Sequence, residues 1–380
     1  MLGSLFIVVL CSALGTYFLL NQPRFGDSPQ GERLDIIEKS PNYVGNEFNN
    51  LIPTPKFSKD TSTFAIIWKS LTEPKERLVP EKPLPAVKTD LKALDRAGDV
   101  VIWLGHSSYF IQLGGKRILL DPVLSDYAAP FRFFNKAFPG TSLYRAEDIP
   151  AIDYLLISHD HWDHLDYATV KALQNKVRHV VCPLGVGSYF EGWGYVADKI
   201  FEADWYEQIS PTENFTIHVL PARHYSGRLF RQNRTLWAGF ALESGSRRLF
   251  FSGDSGYGPH FAEIGRRFGR FDFVALDCGQ YDDRWSYIHM TPEEAAIAAS
   301  DLNADAFLPA HVGRFSIARH AWDDPFIRVA AASEDRHFKL LTPLIGEPVN
   351  LDNRMQRFTR WWQDLETDSA EIPVAVSSTQ

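Results

Sequence analysis

A succession of short apolar segments constrains the fold of this chain more than any other feature. From residue 99 onward, runs of β-branched, aromatic and aliphatic residues end in Gly, Pro, Asp or His, for example in VVIWLG, RILLDP, DYLLISH, FTIHVLPA, RLFFSGD and FDFVALDCG. Such runs are typical of buried strands closed by turns. Segments with helical periodicity fall between or after them, near residues 166–175, 259–268, 292–302 and 356–366. The pattern predicts an α/β body of layered sheets with outer helices.

The overall charge argues against one class of partner. The 380 residues carry a formal net charge of -8, whereas affinity for nucleic acid comes mainly from Lys and Arg side chains that neutralise phosphates. We therefore expect no nucleic-acid partner. The three cysteines, Cys11, Cys182 and Cys278, form no CxxC pair and predict neither a disulfide framework nor a zinc knuckle.

The chain begins with an uncharged apolar run, MLGSLFIVVLCSALGTYFLL. About 20 such residues suffice to span a bilayer core, so residues 1–20 predict an uncleaved transmembrane anchor. A cleaved signal peptide is the alternative, although no Lys or Arg precedes Leu5. Residues 21–98, which are rich in Pro, Asn, Lys and Glu, predict an arm or linker packed on the body. The orientation of the anchor in the membrane stays open.

One loop concentrates imidazole and carboxylate side chains. The sequence LLISHDHWDHLD places His159, His161, Asp163 and His164 directly after an apolar strand and before a helix that begins near Asp166. Loops at strand ends are where α/β proteins assemble sites, because their side chains converge on a rigid scaffold. Imidazoles and carboxylates at this spacing are ligands for Zn²⁺ and similar divalent ions. The cluster therefore predicts a metal site rather than a solvated polar loop.

A metal site needs more ligands than one loop presents, and three later strand ends supply candidates. They are His224 in LPARHYSG, Asp254 in FFSGDSG and His311 in FLPAHVG. Each of these residues alone is more typical of a structural role. Together with the loop cluster, they predict one shared metal site at the strand ends.

The motif H-x-H-x-D-H, followed by His, Asp and His at later strand ends, resembles the metallo-β-lactamase fold superfamily of dinuclear hydrolases over residues 99–345. Longer blocks, among them GHSSYFIQLGGKRILLDPVLSD and FSGDSGYGPHFAEIGRRFGRFDFVALDCGQYDDRW, closely resemble N-acyl-phosphatidylethanolamine-hydrolysing phospholipase D and its bacterial relatives. The resemblance implies a four-layer αβ/βα sandwich with the metal site at one edge of the two sheets. Residues 346–380 lie outside the resemblance, and we expect them to form a C-terminal helix and tail. Together with the predicted anchor, the resemblance to bacterial relatives implies a single-pass protein of a bacterial inner membrane. Which side of the membrane the body occupies is left open.

The resemblance also implies which candidate ligands bind each of two zinc ions. It implies one ion held by His159, His161 and His224, a second held by Asp163, His164 and His311, and a bridge through Asp254. Among these residues, Asp163 and Asp254 are also expected to take part in catalysis, since a hydroxide shared by the two ions would be the nucleophile.

The resemblance adds a third catalytic candidate, His289 in YIHMTPEEA, as a residue that contacts substrate or donates a proton, with simple helix capping as the alternative. Animal relatives carry Gln where this chain has Ile288, and this departure leaves the head-group preference open.

The sequence allows two interpretations for each of several further residues. His106 either orients a ligand or forms a backbone-bonded turn. The stretch 127–140, YAAPFRFFNKAFPG, either dips into a lipid interface or packs in the core. The arginines of one loop either bind phosphate or form a solvated face; they are Arg223, Arg228, Arg231 and Arg234. The histidines predicted to be structural are His179, His218, His260, His320 and His337.

The resemblance, together with the apolar N-terminus, implies a membrane-associated phosphodiesterase of the phospholipase D type. It would hydrolyse the membrane lipid N-acyl-phosphatidylethanolamine to phosphatidate and an N-acylethanolamine at the bilayer. The alternative is a metal-dependent hydrolase of a soluble small molecule, such as a lactone or a nucleotide-like phosphodiester. A non-catalytic binding module is disfavoured because every predicted ligand is present.

Overall fold

The computed structural model describes residues 14–18, 20–57, 77–228 and 231–367. Its strands, in chain order, are β1 Tyr43–Val44, β2 Glu47–Phe48, β3 Val100–Trp103, β4 Tyr109–Leu113, β5 Lys116–Leu120, β6 Ile152–Leu156, β7 Val177–Pro183, β8 Ile200–Ala203, β9 Gln208–Thr212, β10 Phe215–Leu220, β11 Gly227–Arg228, β12 Arg231–Gln232, β13 Gly239–Ser244, β14 Arg247–Phe251, β15 Phe273–Asp277, β16 Ala306–Ala310, β17 Lys339–Leu340 and β18 Pro348–Asn350. The α-helices are Glu32–Ile37, Tyr167–Leu173, Gly187–Gly192, His260–Phe268, Pro292–Asp301, Asp324–Ala332 and Asp364–Thr367, and the 3-10 helices are Pro23–Phe25, Ala197–Lys199 and Asp283–Trp285.

Two seven-stranded sheets form the body. The first has the order β18-β3-β4-β5-β6-β7-β8, and the second has the order β17-β16-β15-β14-β13-β10-β9. Strands β5 to β8 run parallel in the first sheet, and β14 to β17 run parallel in the second. Each parallel set therefore gathers the loops that follow its strands at one edge of its sheet.

The main apolar core lies between the two sheets. Side chains such as Val101 and Ile111 of the first sheet share one buried cluster with Ile217, Leu242 and Phe251 of the second. The alternate residues of the same strands face outward into two further clusters, which the helices cover. Because both faces of the strands are buried, the sequence shows continuous apolar runs rather than alternation. The predicted α/β architecture of layered sheets and outer helices is confirmed.

Local sequence signals explain where two of the helices beside the site begin. The side chain of Asp166 accepts hydrogen bonds from two backbone amides at the start of Tyr167–Leu173. Thr291 and Glu294 form a capping box at the start of Pro292–Asp301.

The helix predicted over residues 356–366 is largely wrong, since only Asp364–Thr367 is helical there. Trp361 and Trp362, just before it, are instead buried in the core between the sheets. The burial of these two large side chains decides the backbone conformation at this end of the chain.

The segment that precedes the body packs closely against it. Ile37 and Phe48 are fully buried in the core between the sheets, and Leu84 donates a backbone hydrogen bond to Pro139. At the other end of the chain, β18 pairs with β3, so the first sheet extends past residue 345.

The N-terminal prediction needs a correction. Residues 1–13 lie outside the described residues, and residues 14–18 and 20 are helical before the chain turns into the 3-10 helix Pro23–Phe25. In the part of the chain that the structure describes, no helix combines the length and the apolar character needed to cross a bilayer. This finding overturns the predicted single-pass anchor over residues 1–20 and the inner-membrane location that depended on it.

Candidate metal centre

Loops at one edge of the two sheets bring the predicted ligands together. His159 follows β6 of the first sheet, whereas His224, Asp254 and His311 follow β10, β14 and β16 of the second. All four side chains are buried. The strand-end signals of the sequence therefore point to residues that share one edge.

The first group of potential ligands consists of His159, His161, His224 and Asp254, with one ligand atom from each residue within 4.8 Å of the others. The Nδ1 atom of His161 lies 2.9 Å from His159 Nε2 and 3.2 Å from His224 Nε2. Three ring nitrogens thus converge on one point, as the ligands of a divalent ion do.

The second group consists of Asp163, His164 and His311, and the structure adds His106 to it. Asp163 Oδ2 lies 3.0 Å from His106 Nε2, 3.6 Å from His164 Nε2 and 3.9 Å from His311 Nε2. His106 therefore faces the site, and the alternative of a turn histidine bonded only to backbone does not describe it.

Asp254 lies between the two groups. Its Oδ1 atom is 3.0 Å from His164 Nε2 and 3.2 Å from His311 Nδ1. Its Oδ2 atom is 3.7 Å from both His159 Nε2 and His224 Nε2. Each carboxylate oxygen thus faces one group, which is the position that a bridging ligand would take. The structure brings all seven predicted ligands together, and their roles as ligands remain predictions.

The unsatisfied polar atoms of the site fit a bound cation. The Nε2 atom of His164 and the Oδ1 atom of Asp254 are buried and lack a well-directed hydrogen bond among the described residues, although they lie 3.0 Å apart. Burying such atoms without a partner is costly, and a metal ion would supply the partner that they lack. The donor set of imidazole nitrogens and carboxylate oxygens suits a borderline-soft divalent ion.

The ionisation states of the histidines also favour metal binding. Burial lowers the pKa of His161 to about 3 and holds the pKa of His159, His224 and His311 well below the usual value. These rings are therefore neutral and offer lone pairs to a metal. At His164 burial also disfavours the charge, but the nearby carboxylates, Asp254 first among them, raise its pKa. The carboxylates that attract this proton would equally attract a cation.

Asp121 supports the site and was missed by the sequence analysis. It follows β5 in RILLDP and is fully buried. Its carboxylate accepts hydrogen bonds from the backbone amide and the hydroxyl of Ser158, at 2.7 Å and 2.5 Å, and lies 2.8 Å from His164 Nδ1. Asp121 thereby fixes the ring of His164 with Nε2 toward the site. The signal that could have found it is the one that found Asp254, an acidic residue closing an apolar strand.

The two sheets are tied to each other at this edge. The backbone amide of His106 donates to the carbonyl of Val312 at 3.1 Å, and that of His311 donates to the carbonyl of His106 at 3.2 Å. His106, Asp121 and His311 have φ angles of 56°, 42° and 62°, in the left-handed region that residues other than glycine rarely adopt. Such backbone persists where surrounding contacts impose it, which is common at functional sites.

The N-terminal arm also reaches the site. The side chain of Asn50 donates to the carbonyl of His224 at 2.7 Å and accepts from its backbone amide at 3.0 Å. The ring of His224 is held from the other side, with Nδ1 at 2.9 Å from the carbonyl oxygen of Ile288. No sequence motif around Asn50 predicts this long-range contact, so sequence reasoning missed it.

His289 lies beside the potential ligands. Its ring is 5.0 Å from that of His311 and nearly parallel to it, and 5.0 Å from that of His224. Its Nδ1 atom lies 2.8 Å from a carboxylate oxygen of Asp277, a residue that sequence reasoning also missed. Burial opposes the charge of His289, but Asp277 outweighs burial and raises its pKa. The helix that follows is capped by Thr291, so capping does not describe His289.

The arginine loop is mostly occupied by structural contacts. Arg228 is buried and donates to the carbonyl oxygens of Asp160, Leu165 and Arg24. It therefore holds the ends of the ligand loop instead of facing solvent.

The other arginines of this loop also contact protein atoms. Arg223 donates to Thr54 and Tyr257, and Arg234 donates to Asn46 and Tyr43. The side chain of Arg231 lies outside the described residues. Among the described residues, the histidines predicted to be structural belong to neither ligand group.

The stretch 127–140 was predicted either to enter a lipid interface or to pack in the core, and the structure shows features of both. Ala128 and Ala137 are buried in a small apolar cluster, whereas Phe133 and Phe134 are 77% and 55% exposed. One part of the stretch packs in the core and the other presents aromatic rings to solvent.

The fold and the paired His and Asp clusters define a metal-dependent hydrolase. The family described as "Beta-lactamase superfamily domain" matches residues 116–312, and the chain belongs to this superfamily. It is similar to an uncharacterized protein of Mycobacterium tuberculosis, with 36% identity over 332 residues that cover 86% of this chain and 89% of that protein.

Two further proteins are similar over a smaller part of the chain. N-acyl-phosphatidylethanolamine-hydrolyzing phospholipase D 1 of Caenorhabditis elegans is 33% identical over 237 residues, which cover 58% of this chain and 65% of that enzyme. A solved metallo hydrolase of the archaeon Ignicoccus hospitalis shares the fold, with a TM-score of 0.51 and 18% identity over 66% of this chain and 97% of that one.

Proposed function

We propose that the protein is a zinc-dependent phosphodiesterase of the phospholipase D type that hydrolyses N-acyl-phosphatidylethanolamine to phosphatidate and an N-acylethanolamine. The observation that carries this proposal is the position of Asp254 between two groups of potential ligands, with His289 beside them. The similarity to the nematode enzyme of that activity supports the choice of substrate.

The seven predicted ligands and His106 would hold the zinc ions. When bound, the ions supply Lewis acidity, which lowers the pKa of water and neutralises charge on the phosphate oxygens. The buried carboxylates and neutral imidazoles of this chain would keep the ions in place, and Asp121 fixes the ring of His164 among them.

His289 is suited to donate the proton that the leaving group needs. Cleavage of the bond between phosphorus and the ethanolamine oxygen releases an alkoxide, which must be protonated. Asp277 occupies the Nδ1 atom of His289 and favours its charged form, so Nε2 is the atom left to give the proton. The buried carboxylate of Asp277 also fixes the orientation of the ring.

An exposed aromatic surface next to the ligand loop supports a lipid substrate. It consists of Phe131, Phe133 and Phe134, whose rings contact one another. Phe25 connects this surface to the ligand loop, since its ring lies 6.5 Å from Phe131 and 5.3 Å from Trp162. Exposed aromatic residues insert into the interfacial region of a bilayer, which would bring the phosphodiester of a lipid to the site.

A vesicle-binding assay tests this role of the aromatic surface. The double variant Phe133→Ser, Phe134→Ser should cosediment less with phosphatidylethanolamine vesicles than the wild type, and Met355→Ser, which changes an equally exposed apolar residue, should not. Equal cosedimentation of the double variant and the wild type would remove this support.

A second candidate is the hydrolysis of a soluble phosphodiester. The observation that favours it is a cavity of about 230 Å³ beside His224, lined by polar side chains that include Asn49, Asn50, Thr54 and Gln232. This volume and polarity suit a head group or a small molecule better than an acyl chain.

Mass spectrometry of reaction products separates the two functions. The zinc-loaded protein is incubated with N-acyl-phosphatidylethanolamine in mixed micelles, with ordinary phospholipids, with an acyl lactone and with a cyclic nucleotide. We expect phosphatidate and N-acylethanolamine from the first substrate, in amounts that Asp254→Asn abolishes and Asp352→Asn, an exposed control, leaves unchanged. Turnover of the soluble compounds alone would refute the phospholipase assignment.

A further inference from the structure

The cavity beside the metal centre is built largely by the N-terminal arm. Residues 47–50, 52–54 and 56 line one side of it, and His224, Tyr225 and Ile288 line the side toward the metal centre. A substrate bound at the metal centre would thus contact the arm. The inference below rests on the proposed function, because it identifies how the same site recognises the phosphodiester.

Lys56 is the lysine that lines this cavity. Its Nζ atom lies 3.8 Å from the ring centroid of Tyr225. That ring in turn contacts two potential metal ligands, with centroid distances of 4.5 Å to His161 and 4.8 Å to His224. A single aromatic ring therefore separates the ammonium group from the first group of ligands.

The ammonium group of Lys56 is desolvated without an acidic partner among the described residues. Burial lowers its pKa to about 8, and the ammonium group contacts the rings of Tyr225 and Phe57. A partly buried cation usually pairs with a carboxylate, because desolvation of a lone charge is costly. The contact with Tyr225 offsets part of this cost. An anion in the cavity would offset the rest.

We propose that Lys56 binds the phosphate anion of the substrate and that the N-terminal arm thereby supplies a binding residue of the active site. The ammonium group would contact a phosphate oxygen directed away from the metal centre, as a point charge with rotatable donors does. The chemical class recognised is a phosphate ester oxyanion, whether it belongs to a lipid or to a soluble diester.

Isothermal titration calorimetry with inorganic phosphate tests this role without any turnover. The full-length, zinc-loaded protein is compared with Lys56→Gln, Lys56→Arg and Lys199→Gln; Lys199 is an exposed lysine at the end of the 3-10 helix Ala197–Lys199. We expect Lys56→Gln to weaken phosphate binding about tenfold or more, because a charge-assisted hydrogen bond is lost. Lys56→Arg should retain most of the affinity, and Lys199→Gln should bind as the wild type does. All variants should hold the same amount of zinc.

Kinetics on N-acyl-phosphatidylethanolamine vesicles separate this proposal from the proposed function. If the lipid is a substrate, Lys56→Gln should raise KM about tenfold with a smaller effect on kcat. If the lipid is not hydrolysed but Lys56→Gln still weakens phosphate binding, the phospholipase assignment fails and the role of Lys56 stands. Phosphate binding by Lys56→Gln equal to that of the wild type, or equal losses in Lys56→Gln and Lys56→Arg, would overturn the role of Lys56.

Discussion

His164 Nδ1 lies 2.8 Å from Asp121 Oδ2, and this contact connects the ligand loop to the end of the neighbouring strand β5. Both side chains are buried. Because Nδ1 is held by the carboxylate, Nε2 is the nitrogen that faces Asp254 and Asp163. Asp121, which belongs to neither ligand group, thus sets the orientation of the potential ligand His164.

Asp121→Asn should therefore weaken metal binding at the second group. Loss of such an outer carboxylate typically lowers metal affinity or activity by about 10- to 100-fold. Competition with a fluorescent zinc chelator measures the affinity, and Asp198→Asn, which changes an exposed acidic residue, is the matched control. Equal zinc affinity in Asp121→Asn and the wild type would show that Asp121 does not orient His164.

His289→Ala should reduce kcat and leave the zinc content unchanged, because His289 is proposed to donate a proton. General acid catalysis by a positioned side chain contributes about 10²- to 10⁴-fold. Added imidazole should restore part of the rate in His289→Ala but not in Asp254→Asn. His337→Ala, at an exposed histidine, should retain full activity. Unchanged kcat in His289→Ala would exclude the proposed role.

Arg228→Lys should destabilise the protein, although it keeps the positive charge. The guanidinium group donates to two carbonyl oxygens of the ligand loop and to that of Arg24, and it stacks 4.1 Å from the ring of Trp162. A lysine cannot reproduce this planar arrangement. We expect a loss of about 2 to 4 kcal/mol in the free energy of unfolding, measured with denaturant. Arg132→Lys, at an exposed position, should change it little; a stable Arg228→Lys would contradict the structural role.

Glu243 connects the neighbouring strands β10, β13 and β14 through its contacts with His218 and Arg248. Burial disfavours its charge, but these hydrogen bonds outweigh burial and hold the pKa of Glu243 below its usual value. A carboxyl group of this kind stabilises the fold above its unfolded-state pKa, and the stabilisation is lost as pH falls through its folded-state pKa.

Glu243→Gln should therefore lower the free energy of unfolding at pH 7 by about 0.5 to 1 kcal/mol, a small value because the side chain is partly exposed. The difference from the wild type should shrink below about pH 4, and thermal unfolding across this range measures it. A difference that stays constant with pH would show that the charge of Glu243 does not matter.

Much of the fold and most of the metal centre could be predicted because the signals are local. An apolar run that ends in Asp or His marks a buried strand and also the residue at its end, so Asp254 and His311 were found in this way. Asp121 carries the same signal in RILLDP, and its role became visible only from its distance to His164.

The contributions of the N-terminal arm could not be predicted, because they depend on long-range packing. Asn50 and Lys56 lie in a Pro-rich, polar segment without periodicity, yet they reach residues 174 and 169 positions further along the chain. The predicted anchor over residues 1–20 falls largely outside the described residues, and among the described residues no helix could cross a bilayer.

The metal content of the purified protein, measured by plasma emission spectrometry, tests the central claim most directly. The account predicts about two zinc ions per chain in the wild type. In Asp254→Asn it predicts a loss of most of this zinc while the fold is retained, because Asp254 faces both ligand groups. Absence of any bound transition metal in the wild type, or full zinc content in Asp254→Asn, would contradict the account.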